Sequence, residues 1–325
     1  MKMMGRGLLA AIAFLAMAGT SSADVSAVFG GADPLEGVYD RQNQHFVDLV
    51  NERGAGQIKL EFIRGEQLGN DVQVIEQVMS GAVQFYGDDF SFYSNWVPEL
   101  NIVSWGFLFR DNAHVQAYIE SDSYKNAVEK LRAEQGIRIL AAAPGQVRVM
   151  VSSRPIKGVE DLAGLKMRVP EIRTYLTLWE TLGTAPARVA WGETFLGLST
   201  GVVEGAEGGI SSIYGAKFHE AAKNVTRTDH VRIIAHIAVN DAWFQAQTPE
   251  IQELLTKAAQ DAVIWQMETV TAEQAETLDK MAADGATVTE IDVTPLRERS
   301  EVAVEKLEAE GFWPKGLWAE IQAMD

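Results

Sequence analysis

Short apolar runs alternate with amphipathic stretches along most of the chain. Residues 25–29 read as a short strand ending at Gly30-Gly31. The stretch 38–52 puts Phe46, Leu49 and Val50 on one face at helical spacing. Ile58–Ile63 alternates apolar with polar residues and predicts a second strand. Asp71–Ser80 predicts a helix with Val72, Ile75, Val78 and Met79 inward, followed by strand-like segments at 83–86 and 137–143. The middle repeats the rhythm: a strand over 148–152, a turn through Leu162 and Gly164, a strand over Lys166–Val169, then Pro170 and a helix over about 173–182. This alternation predicts an α/β protein with mostly parallel sheets. The strands are too many for one small lobe, so two lobes are expected, with Pro144-Gly145 as the crossing point.

One later segment is unusually long. Thr248 is a good N-cap, with Pro249 at the first helical position and Glu250 beside it. Ile251, Leu254, Leu255, Ala258, Ala262, Trp265 and Val270 keep a helical period, and neither proline nor glycine appears until Gly285. A continuous helix over Pro249–Ala283 would be about 52 Å long at ~1.5 Å per residue. That length suits a helix shared by two lobes. The alternative is two helices with an unmarked break near 269–271.

Composition narrows the function classes. Among 325 residues, 45 are acidic and 28 basic, a net charge of −17. Nucleic-acid affinity rests on many Lys and Arg contacts to phosphate, so such a partner is not expected. Anionic lipid should repel the chain for the same reason. The chain contains no cysteine, which excludes disulfides, zinc–thiolate centres, iron–sulfur clusters and cysteine nucleophiles. Lys2 and Arg6, the apolar run 8–17 and the small residues Ser21-Ser22-Ala23 have the three-part pattern of an export signal. The run is shorter than the about 20 apolar residues of a membrane span. Cleavage after residue 23 leaves 26 basic residues against 45 acidic ones, and −17 becomes −19. Without cysteine the new N-terminus takes no lipid anchor, so a free periplasmic protein is expected.

The chain holds no phosphate-binding P-loop, no GxSxG elbow, no HExxH pair and no dinucleotide-binding glycine fingerprint. The five histidines are scattered, and no metal or cofactor is expected. Asp88-Asp89 suggests acid–base work, but adjacent carboxylates in extended chain point different ways. The arginines say more. Arg148 sits in Gln146-Val147-Arg148-Val149-Met150, and Arg168 in Lys166-Met167-Arg168-Val169-Pro170. Burying a cation inside an apolar strand costs several kcal/mol unless an anion pairs with it. The partner is either an internal carboxylate or an anionic ligand. The planar guanidinium fork suits a carboxylate, which it holds through two parallel hydrogen bonds.

At these residues the chain resembles the DctP-type solute-binding proteins of tripartite ATP-independent periplasmic (TRAP) transporters. Gln67-Leu68-Gly69 with Val74-Ile75-Glu76 is similar to the N-terminal signature. Phe107-Leu108-Phe109-Arg110-Asp111 is similar to "PFLFRD", with Gly106 in place of proline. Asp161-Leu162-Ala163-Gly164-Leu165-Lys166-Met167-Arg168-Val169-Pro170 resembles "DLKGLKIRVP", and Gly201-Val202-Val203-Glu204-Gly205-Ala206-Glu207 resembles "GvVDGqE". The resemblance covers nearly the whole mature chain and rests on the order and spacing of these pieces.

It implies an α/β, two-lobed periplasmic binding protein fold (type II-like) with a long helix spanning both lobes. The lobes are expected to be 24–145 with about 235–268, and 146–234 with about 269–325. It further implies that Arg168 clamps a ligand carboxylate, that Arg148 assists from the preceding strand, and that Trp191 walls the pocket. Asp33, Asp71 and Asp89 fall where relatives that bind sugar acids place polar contacts. One departure stands out: Gly208-Gly209 follows Glu207, where relatives carry an asparagine that hydrogen-bonds the carboxylate. An adjacent side chain, a water or a bulkier ligand must fill the space at Gly208.

The function expected is therefore a monomeric periplasmic receptor for a small organic anion, best a hydroxylated sugar acid, which hands its ligand to the membrane subunits of a TRAP transporter. Carboxylates accept hydrogen bonds, so the three aspartates call for hydroxyls or a nitrogen at the far end of the ligand. Alternatives are a zwitterion such as an ectoine-like compound, a sulfonate seated at Gly208, a sensor that uses the same fold without transport, and a secreted hydrolase with a carboxylate pair.

Overall fold

The computed structural model describes residues 25–325; the expected export signal, residues 1–23, lies outside them. The strands are β1 (Val25–Gly30), β2 (Ile58–Ile63), β3 (Phe85–Tyr86), β4 (Ile137–Ser152), β5 (Lys166–Val169), β6 (Ala185–Arg188), β7 (Gly205–Gly209), β8 (Asn224–Arg227), β9 (Arg232–Asn240) and β10 (Thr287–Glu290). The helices are α1 (Val38–Arg53), α2 (Asp71–Ser80), α3 (Asn112–Glu120), α4 (Asp122–Gln135), α5 (Arg173–Thr181), α6 (Trp191–Thr200), α7 (Ile210–Gly215), α8 (Phe218–Ala221), α9 (Asp241–Gln245), α10 (Pro249–Ala283), α11 (Thr294–Ala309) and α12 (Leu317–Gln322).

Two lobes share one strand path. In the first lobe the order is β2-β1-β3-β9-β4, and in the second β4-β7-β5-β6, with β8 and β10 alongside. β1 runs parallel to β2 and β3, and β5 parallel to β6 and β7. β9 is antiparallel to β3 and β4, and β4 is antiparallel to β7 and β8. The sheets are thus mixed rather than mostly parallel.

The two strands expected at 137–143 and 148–152 are one strand, β4, which crosses between the lobes. Its register against β9 shifts between Pro144 and Val147. Pro144 has no N–H to donate, so the ladder breaks there while the strand continues. β9 was not legible in the sequence. Its buried pattern is almost unbroken, so it lacks the alternation that marks a half-exposed strand.

α10 is a single helix of 35 residues with no break at 269–271. The Thr248 side chain accepts the Ile251 N–H, and Pro249 occupies the first turn, as the sequence indicated. Its first half packs Ile251, Leu255, Ala258, Ala262 and Val263 with Phe29, Phe46 and Phe85 of the first lobe. Its far end packs Met281 with Val149, Val151 and Val225 of the second. α11 packs Leu296, Val304 and Leu307 with Leu178 and Trp179 in the largest core. α12 returns to the first lobe, where His114 Nε2 donates to Ile321 O at 2.7 Å and Gln322 Nε2 to Leu108 O at 2.6 Å.

Candidate functional site

A cleft lies between the lobes. Asp33, Tyr39, Asp71, Asp88 and Asp89 line it from the first lobe, and Arg148, Arg168, Trp191, Gly209 and Ser212 from the second. The lobes meet around it: Gly192 N donates to Glu66 Oε1 at 3.1 Å, and Asn70 Nδ2 to Glu171 Oε2 at 2.9 Å.

The two arginines have different surroundings. Arg148 is held on all sides. Its Nε and Nη2 donate to the two oxygens of Glu207 at 2.6 and 2.7 Å, and its Nη1 to Asp89 Oδ2 at 2.9 Å. The Tyr175 ring covers its face, with the guanidinium carbon 4.6 Å from the ring centroid. Glu207 also accepts from His230 Nε2 at 3.1 Å. A carboxylate only accepts, so Nε2 carries a proton, and Nδ1 lies 2.8 Å from the Thr228 hydroxyl. Burial works against the Glu207 charge, but Arg148 and the His230 hydrogen bond hold its carboxyl down to about 2. Arg148 thus has internal carboxylate partners.

Arg168 has none. It is 2% exposed, its Nε donates to Val189 O at 2.9 Å, and its Nη1 has no partner. Its guanidinium carbon lies 5.2 Å from the centroid of the Trp191 ring, which itself packs on Phe218 at 4.5 Å. The backbone carbonyl and the indole fix the fork and leave its outer edge to the cleft. Burial, with the like charge of Arg148 added, lowers its pKa to about 10. The charges of Glu207, Asp71 and Glu171 oppose that shift, so it remains a cation at neutral pH, and among the described residues no carboxylate pairs with it directly.

The space beside Gly208 is filled. A Cβ on Gly208 would lie 2.9 and 3.0 Å from two Trp191 ring carbons, so the indole occupies that volume. The room foreseen there for a sulfonate head is therefore not open. Gly208 itself pairs with Val149 in the β4–β7 ladder and backs the indole.

The acidic end is built from short local contacts. Asp33 Oδ2 accepts the N–H groups of Tyr39 and Asp40 at 3.1 and 3.4 Å, at the start of α1. Asp71 Oδ1 accepts the Tyr86 hydroxyl at 2.8 Å. Asp88 Oδ1 accepts the Asp89 N–H at 2.6 Å. Burial pushes Asp33 up to about 7 against those backbone donors, and Asp71 up to about 6 against the Tyr86 hydroxyl. Burial, reinforced by the charges of Asp71 and Asp33, raises Asp88 well above the usual carboxylate range. Asp89 is also raised by burial, though Arg148 and Ser91 oppose the shift.

Asp88 is a lining residue that sequence reading passed over. Asp89 is extended and caps the 3-10 helix at Phe90–Asn95, and both Asp88 and Asp89 line the cleft. Tyr39, Gln146 and Ser212 were also missed; their types carry no signal without the fold.

The fold and the cleft are those of a two-lobed solute receptor. Residues 32–310 match the family described as bacterial extracellular solute-binding protein, family 7 (DctP), and the chain belongs to that family. The sialic acid-binding periplasmic protein SiaP of Vibrio cholerae is 27% identical over 251 residues, 77% of this chain and 78% of SiaP. Among solved structures, a TRAP periplasmic solute-binding protein from Polaromonas sp. JS666 bound to D-erythronate superposes with a TM-score of 0.87 at 27% identity, covering 93% of this chain and 99% of that one. Another from Ochrobacterium anthropi, with bound L-fuconate, gives 0.86 at 28% identity over 93% and 99%. Among the described residues no helix is long and apolar enough to cross a membrane.

Proposed function

We propose that this protein is the periplasmic receptor of a TRAP transporter for a small hydroxylated carboxylate, a sugar acid of the aldonate or uronate type. Arg168 carries the reading: a buried cation that lines the cleft and whose Nη1 has no hydrogen-bond partner among the described residues. A carboxylate held by its fork supplies the missing counter-charge, and each such hydrogen bond contributes about 1.5–3 kcal/mol. Trp191 orients the fork and offers an apolar wall. Arg148 keeps Glu207 and Asp89 in place and adds positive potential. The free oxygens of Asp33, Asp71 and Asp88 accept from hydroxyls at the other end. The erythronate and fuconate bound by the two structural relatives have this chemistry.

In this reading the lobes divide as the sequence suggested, 24–145 with about 235–268 against 146–234 with about 269–325, with α12 crossing back to the first. Closure over the ligand presents the form that the membrane subunits accept. A ligand drives closure only by binding the closed state more tightly. The receptor works as a monomer. The family is one of solute receptors, so the hydrolase alternative has no support from it.

A second reading has one observation in its favour. Among the described residues Asp33, Asp71 and Asp88 form no ion pair, and a zwitterion's nitrogen would supply the missing cation. A thermal-shift screen of aldonates, uronates, dicarboxylates and zwitterions separates the two. A ligand at 100 times its dissociation constant adds about 2.7 kcal/mol of stability. Stabilisation by hydroxy acids is expected; stabilisation by zwitterions alone selects the second reading, and silence from every carboxylate rejects both.

A further inference from the structure

We infer that Ser212 is a ligand-binding donor at the carboxylate end of the cleft, and that Gln146 is the positioning residue that aims its proton. The inference rests on the carboxylate reading above and adds a residue pair to it. Gln146 lies on β4 two residues before Arg148, and it is 3% exposed. Its Oε1 accepts two backbone N–H groups, Ser211 at 2.8 Å and Ser212 at 3.3 Å. A backbone N–H only donates, so these contacts fix which end of the amide is oxygen. Its Nε2 then must face the Ser212 hydroxyl, 2.8 Å away.

An amide NH2 group has no lone pair to offer in a hydrogen bond, so Ser212 Oγ is the acceptor there. The Ser212 hydroxyl hydrogen consequently points elsewhere, and among the described residues no protein acceptor takes it. Ser212 is 5% exposed and lines the same cleft as Arg168. A buried hydroxyl with its proton directed into an otherwise cationic corner is a ready donor to an anionic oxygen.

The glycines fit the same arrangement. A Cβ on Gly209 would fall 2.6 Å from the Gln146 amide carbon and oxygen and 2.7 Å from its nitrogen, so the amide sits where a side chain would be. The Gly208-Gly209 pair therefore admits two neighbours: the Trp191 ring beside Gly208 and the Gln146 amide beside Gly209. Together they replace the side-chain amide that the resemblance led one to expect after Glu207. The donor is now a hydroxyl relayed from β4.

The test is a titration of D-erythronate, L-fuconate and D-glucuronate into wild type, Ser212→Ala, Gln146→Glu and the double variant, with the unliganded Tm of each. Ser212→Ala should weaken the best ligand about 10- to 100-fold, or about 1.4–2.8 kcal/mol at 1.4 per tenfold. Gln146→Glu keeps the two backbone acceptor bonds but puts an acceptor against Ser212, so it turns the serine proton away from the ligand. It should weaken binding at least tenfold; the buried carboxyl also lowers the unliganded Tm, so affinity is measured well below the Tm of each variant. In the Ser212→Ala background the same change should cost much less, since it acts through the missing hydroxyl. Wild-type affinity in Ser212→Ala, or equal losses from Gln146→Glu in both backgrounds, overturns the assignment and leaves the carboxylate reading standing. No binding of any acid by the wild type overturns both.

Discussion

Arg148 and Arg168 are two strands apart, equally buried, and set in different company. The sequence marked both, because a cation inside an apolar strand needs an anion. It left open which anion each one has, since the answer depends on Glu207 and Asp89, remote in sequence and adjacent only in the fold. The same holds for Gly208. As a letter it signals lost chemistry; in place it is the floor under Trp191. Gly208→Ala should push the indole off that floor, costing about 1–3 kcal/mol of stability as overpacking and weakening binding through Arg168, which a denaturant melt and a titration would read. Unchanged stability and affinity would place the Trp191 ring elsewhere.

The acidic residues make a prediction about pH. Asp33 and Asp71 have folded pKa values of about 7 and about 6, both above the model-peptide value of 3.8. A carboxyl raised in the folded state contributes stability that is full below its unfolded pKa and is lost as pH rises through the folded one. These two carboxyls therefore lower the unliganded Tm between pH 5 and 7.5. His236, which burial holds down to about 3, raises it over the lower part of that range. The carboxyl contribution is thus read as the difference between wild type and Asp33→Asn, whose Tm should fall less with pH. Glu207, held down to about 2, loses its contribution only at far lower pH and does not mask the effect. An identical pH dependence of Tm in wild type and Asp33→Asn would contradict the raised pKa of the Asp33 carboxyl.

At the scale of elements, periodicity carried most of the reading. β2, α2 and β5 have the bounds that alternation and helical spacing indicated. α10 was legible because its start has a side-chain cap and a proline, and because nothing interrupts it before Gly285. Thr248→Ala should remove the cap and cost about 1 kcal/mol, measurable as a lower Tm without loss of affinity, because the cap lies far along the helix from the cleft. β4 and β9 were harder for one reason. Both are buried over most of their length, so neither alternates, and the Pro144 interruption in β4 reads as an end although the strand passes through it.

For the whole molecule, charge and closure decide the function. A net charge of −17 repels an anion at long range, so affinity has to come from groups placed at the site. The cleft meets that need with one cation that has no carboxylate partner among the described residues, backed by one that does. The contacts of Glu66 with Gly192 and of Asn70 with Glu171 close the lobes over it, and no sequence pattern announced them because they join loops and element ends. The measurement that bears most directly on this account is a calorimetric titration of D-erythronate, L-fuconate and D-glucuronate into the wild-type protein and Arg168→Lys. A lysine keeps the charge and loses the fork. Binding of at least one acid by the wild type, weakened 100-fold or more in Arg168→Lys with an unchanged fold, is the predicted result. Wild-type affinity in Arg168→Lys would show that the buried guanidinium is not what holds the ligand.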